Sequence, residues 1–361
     1  MTRWSRHRDW YAAMALAGLL TVTACGGHSG PPKPLKPLKP GQARVLGQTA
    51  DGDIGPFDGT RGVAADAGGA VYFNTGERLV RLGTDGAFTD ASGQQGGRPG
   101  PSDRGLSGLV VRSDGSLLAG EDGQVVAIAP DGRITELAGT AGQFRSLTAP
   151  VAKTAAAAGF RFVHGVTPLG VEKDGTVVIG DGNVVWSLSG GMLTRRYQQA
   201  PVKPAANYLS PFVVAESTAD PDGTVFLAPG YPGTLGDVAV LPGNGQPPHK
   251  LTLPARVPDL SVATADLETA ALAGDGADGI YADVSPPDSG HSFVIHVHGG
   301  HVDVVASTTA KAGWSATCKA QKSVPARDFP CPFPIGIAYR AGHVYLAGQR
   351  TYVLDIGVAA S

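Results

Sequence analysis

Beyond residue 42 the chain alternates short apolar runs with polar, Gly-containing turns. Residues 62–73 read GVAADAGGAVYF, 108–120 read GLVVRSDGSLLAG and 169–181 read LGVEKDGTVVIGD. The same order of apolar run, turn and apolar run returns at 213–229, 271–284 and 335–348. Short runs bounded by Gly and Asp are the pattern of antiparallel strands joined by tight turns. The turn glycines are Gly69, Gly115, Gly175, Gly223, Gly279 and Gly342, spaced by 46, 60, 48, 56 and 63 residues. Most units carry a second hairpin, at 78–92, 124–139, 183–197 and 292–307. Two hairpins make one four-stranded antiparallel blade. Six blades around an axis bury both faces of every sheet, so the pattern predicts an all-β, six-bladed β-propeller.

The sixth unit is incomplete. After residues 335–348 only RTYVLDIGV, at 350–358, remains to form a strand. Residues 43–46 (ARVL) precede the first unit and have the character of an outermost strand. Pairing them with 351–356 would close the ring, with both ends of the domain in one blade. The propeller domain therefore spans 43–361.

Composition agrees with this architecture. The 361 residues include 52 Gly and 28 Pro, only 17% are charged, and the net charge is −2. Eleven Asp-Gly pairs occur, several at the hairpin turns, where a positive φ is required and Gly supplies it without steric cost. A helical bundle would not carry so many turn formers. The small net charge disfavours disorder driven by self-repulsion, and no basic excess points to nucleic acid.

The first 24 residues follow a different pattern. Arg3, Arg6 and Arg8 precede the apolar stretch YAAMALAGLLTV at 11–22. Twelve helical residues rise about 18 Å, short of a hydrocarbon core of ~30 Å, so this is a signal-peptide core rather than a membrane span. It ends in Val22-Thr23-Ala24-Cys25, which resembles the bacterial lipobox. The resemblance implies lipidation of Cys25 and cleavage just before it, leaving a mature net charge of −4. Two acyl chains suffice for stable anchoring, so the expected location is the outer face of the bacterial cytoplasmic membrane. The Ala-, Gly- and Pro-rich usage resembles that of high-GC actinobacteria.

Residues 25–42 follow as lipidated Cys and tether. Pro-Lys-Pro-Leu-Lys-Pro-Leu-Lys-Pro favours an extended polyproline II spacer. Lys33, Lys36 and Lys39 share one side of it, with a modest attraction for anionic headgroups or cell-wall polymer. Cys318 and Cys331 lie 13 residues apart in a charged, Pro-containing loop. In an oxidising compartment they are expected to form a disulfide.

The repeat unit resembles that of NHL-repeat propellers. Arg61-Gly62-Val63-Ala64-Ala65-Asp66, then Val71-Tyr72-Phe73 and Arg78-Leu79-Val80-Arg81, follow the family pattern well. Residues 149–158 resemble an Ala-rich segment between blades. Units four and five depart most, with insertions around 231–237 and 286–289. This resemblance implies architecture and not chemistry.

Few motifs carry chemistry. No G-x-S-x-G, H-E-x-x-H or phosphate-loop pattern is present, and no catalytic residues are assigned. Residues 291–303 (HSFVIHVHGGHVD) read as a hairpin with a Gly-Gly turn, pairing His298 with His301 and His296 with Asp303. All four would project from one face, with Ile295, Val297, Val302 and Val304 on the other. Three imidazoles and a carboxylate are candidate ligands for zinc or copper. A polar outer hairpin on the propeller rim produces the same pattern, and that reading needs no cofactor. His164 and His343 read as structural histidines, and Trp186 as packing between blades. Tyr208, Tyr231 and Tyr281 are candidates to line a face. Asp66, Asp114, Asp174, Asp222 and Asp278 recur beside first-hairpin turns, which turn chemistry explains.

Two main function classes follow, with a purely structural envelope role as a third. The first is a surface-anchored binding, scaffolding or sensor module for protein or cell-envelope ligands, monomeric as a domain and engaging no nucleic acid. The second is a propeller enzyme, such as a metal-dependent lactonase, a lyase or a quinoprotein-like dehydrogenase, with ligands at the central channel. On the sequence, the only His cluster lies at an outer hairpin, which favours the first.

Overall fold

The computed structural model describes residues 38–48, 62–74, 79–91, 106–147, 149–163, 165–199, 217–228, 233–257, 260, 262–287, 289–308, 322–347 and 352–359. The signal peptide, Cys25, most of the tether, Cys318, His164, Tyr208 and Tyr231 lie outside these residues. Among the described residues no helix is long and apolar enough to cross a membrane.

The strands form six antiparallel sheets. The N-terminal strand β1 (Gln42–Gln48) precedes blade one, which is β2 (Val63–Ala65), β3 (Val71–Asn74), β4 (Leu79–Leu82) and β5 (Phe88–Asp90). Blade two is β6 (Leu106–Val111), β7 (Leu117–Glu121), β8 (Gln124–Ile128) and β9 (Ile134–Gly139). A short strand β10 (Thr154–Ala156) then precedes β11 (Thr167–Val171), β12 (Val177–Asp181), β13 (Val184–Ser189) and β14 (Met192–Gln198) of blade three. Blade four is β15 (Thr218–Ala219), β16 (Val225–Leu227), β17 (Ala239–Leu241) and β18 (His249–Lys250). Blade five is β19 (Glu268–Gly274), β20 (Ile280–Ser285), β21 (Phe293–His298) and β22 (His301–Ser307). After β23 (Val324–Pro325), the last blade is built on β24 (Gly336–Arg340), β25 (His343–Ala347) and β26 (Tyr352–Gly357).

The closure expected from the sequence is present. β1 pairs with β26 in the register Ala43↔Ile356, Arg44↔Asp355 and Val45↔Leu354. Two edge additions were not expected. β23 pairs outside β1, and β10 pairs outside β14, so blades six and three have five strands.

Six hydrophobic clusters hold the ring, one at each blade junction. Trp186 belongs to the cluster between blades two and three and is fully buried. Its ring meets Phe160 edge to face at 5.2 Å, and its Nε1–H donates to Asp181 at 3.0 Å. Asp181 also takes a 2.5 Å ion pair from Arg145, which fastens the segment between blades two and three.

Each blade has its first-to-second and third-to-fourth strand connections at the same end, here called the turn face. At the first connection Gly69, Gly115, Gly175, Gly223 and Gly342 have φ of +80° to +89°. Asp114, Asp174 and Asp222 each accept the backbone N–H two residues on, at 2.9 Å. Blade five departs from the expected turn. Gly276 and Asp278 take the positive φ values, +80° and +73°, and Gly279 does not. The reason is a second Asp-Gly step in Gly274-Asp275-Gly276-Ala277-Asp278-Gly279, which makes Asp275 the hydrogen-bonded acid of this turn.

Candidate functional site

The first strands of the six blades, β2, β6, β11, β15, β19 and β24, enclose a central cavity of about 560 Å³. Its walls are mainly Gly, Ala, Val and Leu, because six strands converging on one axis leave little room for side chains. Asp220 and Asp275 are the carboxylates of this lining, and both stand at the turn-face mouth on adjacent blades. Tyr339 and Arg340 of blade six border the same mouth.

Asp220 follows β15 and is 2% exposed. Its Oδ1 accepts the Gly276 N–H at 3.2 Å, and its buried Oδ2 has no hydrogen-bond partner among the described residues. Gly274 makes room for it, since a Cβ there would collide with the Asp220 carboxylate. Burial pushes the Asp220 carboxyl up to about 7, reinforced by the nearby charges of Asp275, Asp222 and Asp278 and opposed by the Gly276 N–H.

Asp275 is held the other way. Burial opposes its charge, but hydrogen bonds from His296 and from the backbone N–H groups of Ala277 and Gly279 outweigh it and keep the carboxyl below its usual range. The Ala277 and Gly279 N–H groups donate to Oδ1 at 2.7 and 2.9 Å, and His296 Nε2 donates to Oδ2 at 2.8 Å. One mouth therefore carries a carboxyl favouring its neutral form beside a carboxylate favouring its ionised form.

A column of rings leads outward from there. Tyr339 stacks on Tyr281 at 4.8 Å, Tyr281 on His296 at 4.2 Å and 9°, and His296 on His298 at 4.4 Å. Burial, with Tyr339 and Asp275 close by, pushes the Tyr281 phenol well up. Tyr281 and His296 also line a second cavity of about 400 Å³ beside Arg327, Pro40 and Gly41, at the junction of blades five and six.

The structure brings the four hairpin residues to one face. The register pairs His298 with His301 and His296 with Asp303, and Ile295, Val297 and Val304 are buried on the opposite side. His298 Nε2 meets Asp303 Oδ2 at 3.1 Å, with both side chains exposed. His296 and His298 stack, His301 is tilted 45° to His298 at 6.2 Å, and among the described residues no group of three or more His, Cys, Asp or Glu is disposed to hold a metal ion. The hairpin is the outer one of blade five, as expected, and it also touches the channel wall. His296 reaches inward through Asp275 to the cavity lining.

The remaining expectations divide simply. His343 Nδ1 bonds to Asp355 Oδ1 at 2.7 Å, a satisfied structural histidine. Cys331 is buried between blades five and six, and its expected partner lies outside the described residues. Sequence reasoning missed Asp220, Asp275 and Tyr339. The one signal for Asp275 was the doubled Asp-Gly step, which distinguishes its turn from the other five.

No protein-family model and no curated protein matches this chain. Solved structures do. The fold is that of known β-propellers. The chain resembles a protein of unknown function from Bacteroides thetaiotaomicron with a TM-score of 0.54 and 10% identity, covering 88% of this chain and 75% of that one. An auxiliary nutrient binding protein from the same organism gives 0.52 and 10%, over 88% and 76% of the two chains. A streptogramin B lyase gives 0.47 and 13%, over 87% and 96%. Identities this low speak for the fold alone.

Proposed function

We propose that this chain is a lipid-anchored extracytoplasmic lipoprotein whose propeller is a binding module for a protein or cell-envelope ligand, engaged at the turn-face mouth of the central cavity. The cavity carries the reading. Its walls combine small apolar side chains with polar groups, a make-up suited to holding and orienting a ligand. Lipidation at Cys25 and a tether extending about 50 Å at polyproline II rise would display the module at the membrane surface. The tether joins the propeller on the turn face, where the Gly41 N–H donates to the Gly357 carbonyl at 2.9 Å. Within this reading Cys318 and Cys331 form a disulfide.

A photo-crosslinking residue placed at Ala341, in the cavity lining, is expected to capture a recurrent partner in cells, and one at exposed Ile134 is not. Equal capture from both positions would refute engagement at the mouth. Cys25→Ser is expected to move the protein from the membrane to the soluble fraction.

One observation favours a second reading, a propeller enzyme. Asp220 and the Asp275–His296 pair provide a neutral acid and a charged base at one mouth, the arrangement that general acid–base chemistry uses. Turnover of a lactone panel, abolished by His296→Gln with the fold intact, would establish it.

A further inference from the structure

The first strand of each blade, β2, β6, β11, β15, β19 or β24, ends its sheet order and is paired on one side only. Its other edge carries backbone N–H and C=O groups that no strand meets among the described residues, and these edges form the cavity wall. The lining runs through consecutive residues, for example 108–111, 167–171 and 271–276. Side chains alternate between the two faces of a strand, so an unbroken run marks a wall made of the strand edge itself. Resting on the binding-module reading, and on its cell-envelope arm, we propose that this cavity takes an uncharged, hydroxyl-rich ring, a mono- or disaccharide, held by backbone groups of the strand edges.

Glycine brings the edges together. A Cβ at Gly62 would meet Leu109, one at Gly108 would meet Thr167 and Pro168, and one at Gly170 would meet Ala219, each on the first strand of the next blade. The strands converge where side chains are missing, and the wall between them is left as main chain. Two of these strands also carry bulges. Gly108 is the extra residue between Ser107 and Leu109 in β6, and Leu169 is the extra residue between Pro168 and Gly170 in β11. A bulged residue leaves the ladder and re-aims its backbone groups. Both bulges lie in the lining, on neighbouring blades. Some edge groups are engaged within the protein, such as the Lys173 N–H, which donates to the Pro221 carbonyl at 2.9 Å. The others need water or a ligand.

The chemistry of the wall selects the ligand. A strand edge alternates donors and acceptors, and a hydroxyl is both at once. Six edges converge from all around one axis. An extended peptide carries its own N–H and C=O groups along two opposite edges and would leave most of the six unmet. The hydroxyls of a sugar ring point outward around its rim and reach several edges together. The small apolar side chains between the edges suit the C–H faces of the same ring. At about 560 Å³ the cavity lies within the range of small-molecule sites, roughly 300–1,000 Å³.

Burial of the lining's carboxyl groups sets the charge of the ligand. Asp220 and Asp275 are 2% and 5% exposed, and Asp275 is already engaged by His296. Arg340, the cation of the lining among the described residues, is exposed at the end of β24. An ion inside the cavity would lose hydration without a facing counter-charge, a cost that an uncharged ring does not bear.

The probes are glucose, galactose and N-acetylglucosamine, the disaccharides cellobiose, lactose and chitobiose, and the charged rings glucuronate and glucosamine. They are titrated into the purified protein by ligand-observed NMR at mildly acid pH, where glucosamine is protonated. At least one neutral sugar is expected to bind about tenfold more tightly than either charged ring, with an affinity unchanged by added salt. Ala67→Trp, at an exposed position of the mouth, should weaken that binding severalfold with the fold intact, and Ile134→Trp, on the outer strand of blade two, should leave it unchanged. The per-O-methylated form of the bound sugar keeps the ring without a hydroxyl donor and should bind about tenfold less tightly. That comparison decides the matter on the native protein if Ala67→Trp does not fold. Equal binding of the sugar and its methylated form, tighter binding of glucuronate or glucosamine, full binding to folded Ala67→Trp, or no binding by any probe would each overturn the saccharide site. Any of these leaves the binding-module reading to the Ala341 cross-link, where a captured protein partner would uphold it without a sugar.

Discussion

Arg44 and Asp355, 311 residues apart in the chain, meet at 2.9 Å in adjacent strands of the last blade. Asp355 is 1% exposed and also holds His343 at 2.7 Å, so one buried carboxylate ties the second, third and fourth strands of the closing blade together. Removing Arg44 takes the cationic partner from a buried carboxylate and leaves it the His343 contact. Arg44→Ala is therefore expected to lower stability by about 3–5 kcal/mol, read from urea unfolding. Exchange of the β1 amides should rise more than exchange in blade three, because the lost contact is the one that closes the ring. A uniform rise across all blades would contradict this.

Between blades two and three, Trp186 packs on Phe160 and donates to Asp181. Trp186→Ala is expected to cost about 3–5 kcal/mol, combining lost burial with a cavity. Trp186→Phe preserves much of the packing but leaves Asp181 without one donor, so its loss should be smaller, on the order of 1–3 kcal/mol. Paired thermal melts give the order of the two variants, and an equal loss would remove any role for the indole N–H.

The hairpin units were legible because they rest on local signals, period-two apolar runs and Asp-Gly turns, and the closure because the last unit lacks a strand that residues 43–46 can supply. β10 and β23 were not, since Thr154–Ala156 and Val324–Pro325 are too short to carry a pattern and pair only at the edge of a finished blade. The hairpin register was readable from the Gly-Gly turn, so the shared face of His296, His298, His301 and Asp303 was recovered. The contact from His296 to Asp275 crosses 21 residues and depends on ring placement, which no turn rule specifies. Asp220 stands two residues before the turn aspartate Asp222 and carries no sequence signal of its own. What sets it apart is its burial against Gly274, a property of two neighbouring blades together.

Gly274 offers a direct check of that close approach. The nearest obstacles to a Cβ at 274 are all atoms of the Asp220 carboxylate. Gly274→Ala alone is expected to destabilise by about 1–3 kcal/mol, because Asp220 is short, buried and has little room to turn aside. In Gly274→Ala/Asp220→Ala the obstacle is gone, and most of that loss should disappear. A double-mutant cycle by urea unfolding measures the coupling. Additive losses would show that the backbone at 274, and not the carboxylate, demands glycine.

Asp220 should also shape the dependence of stability on pH. Its folded-state carboxyl titrates at about 7 and its unperturbed value is 3.8, so between these limits the native state binds the extra proton. The stabilisation is complete below 3.8 and is lost as pH rises through 7, a difference of up to about 4 kcal/mol for a shift near three units. Asp275 acts in the opposite sense, since its depressed carboxyl stabilises the fold above its unperturbed value and loses that contribution on acidification. Asp220→Asn should therefore flatten the stability profile between pH 4 and 8 and raise stability at pH 8 relative to the native protein. Asp275→Asn should leave that alkaline decline in place. Urea midpoints for the three proteins across this range make the comparison, and a decline that persists unchanged in Asp220→Asn would assign it to another group.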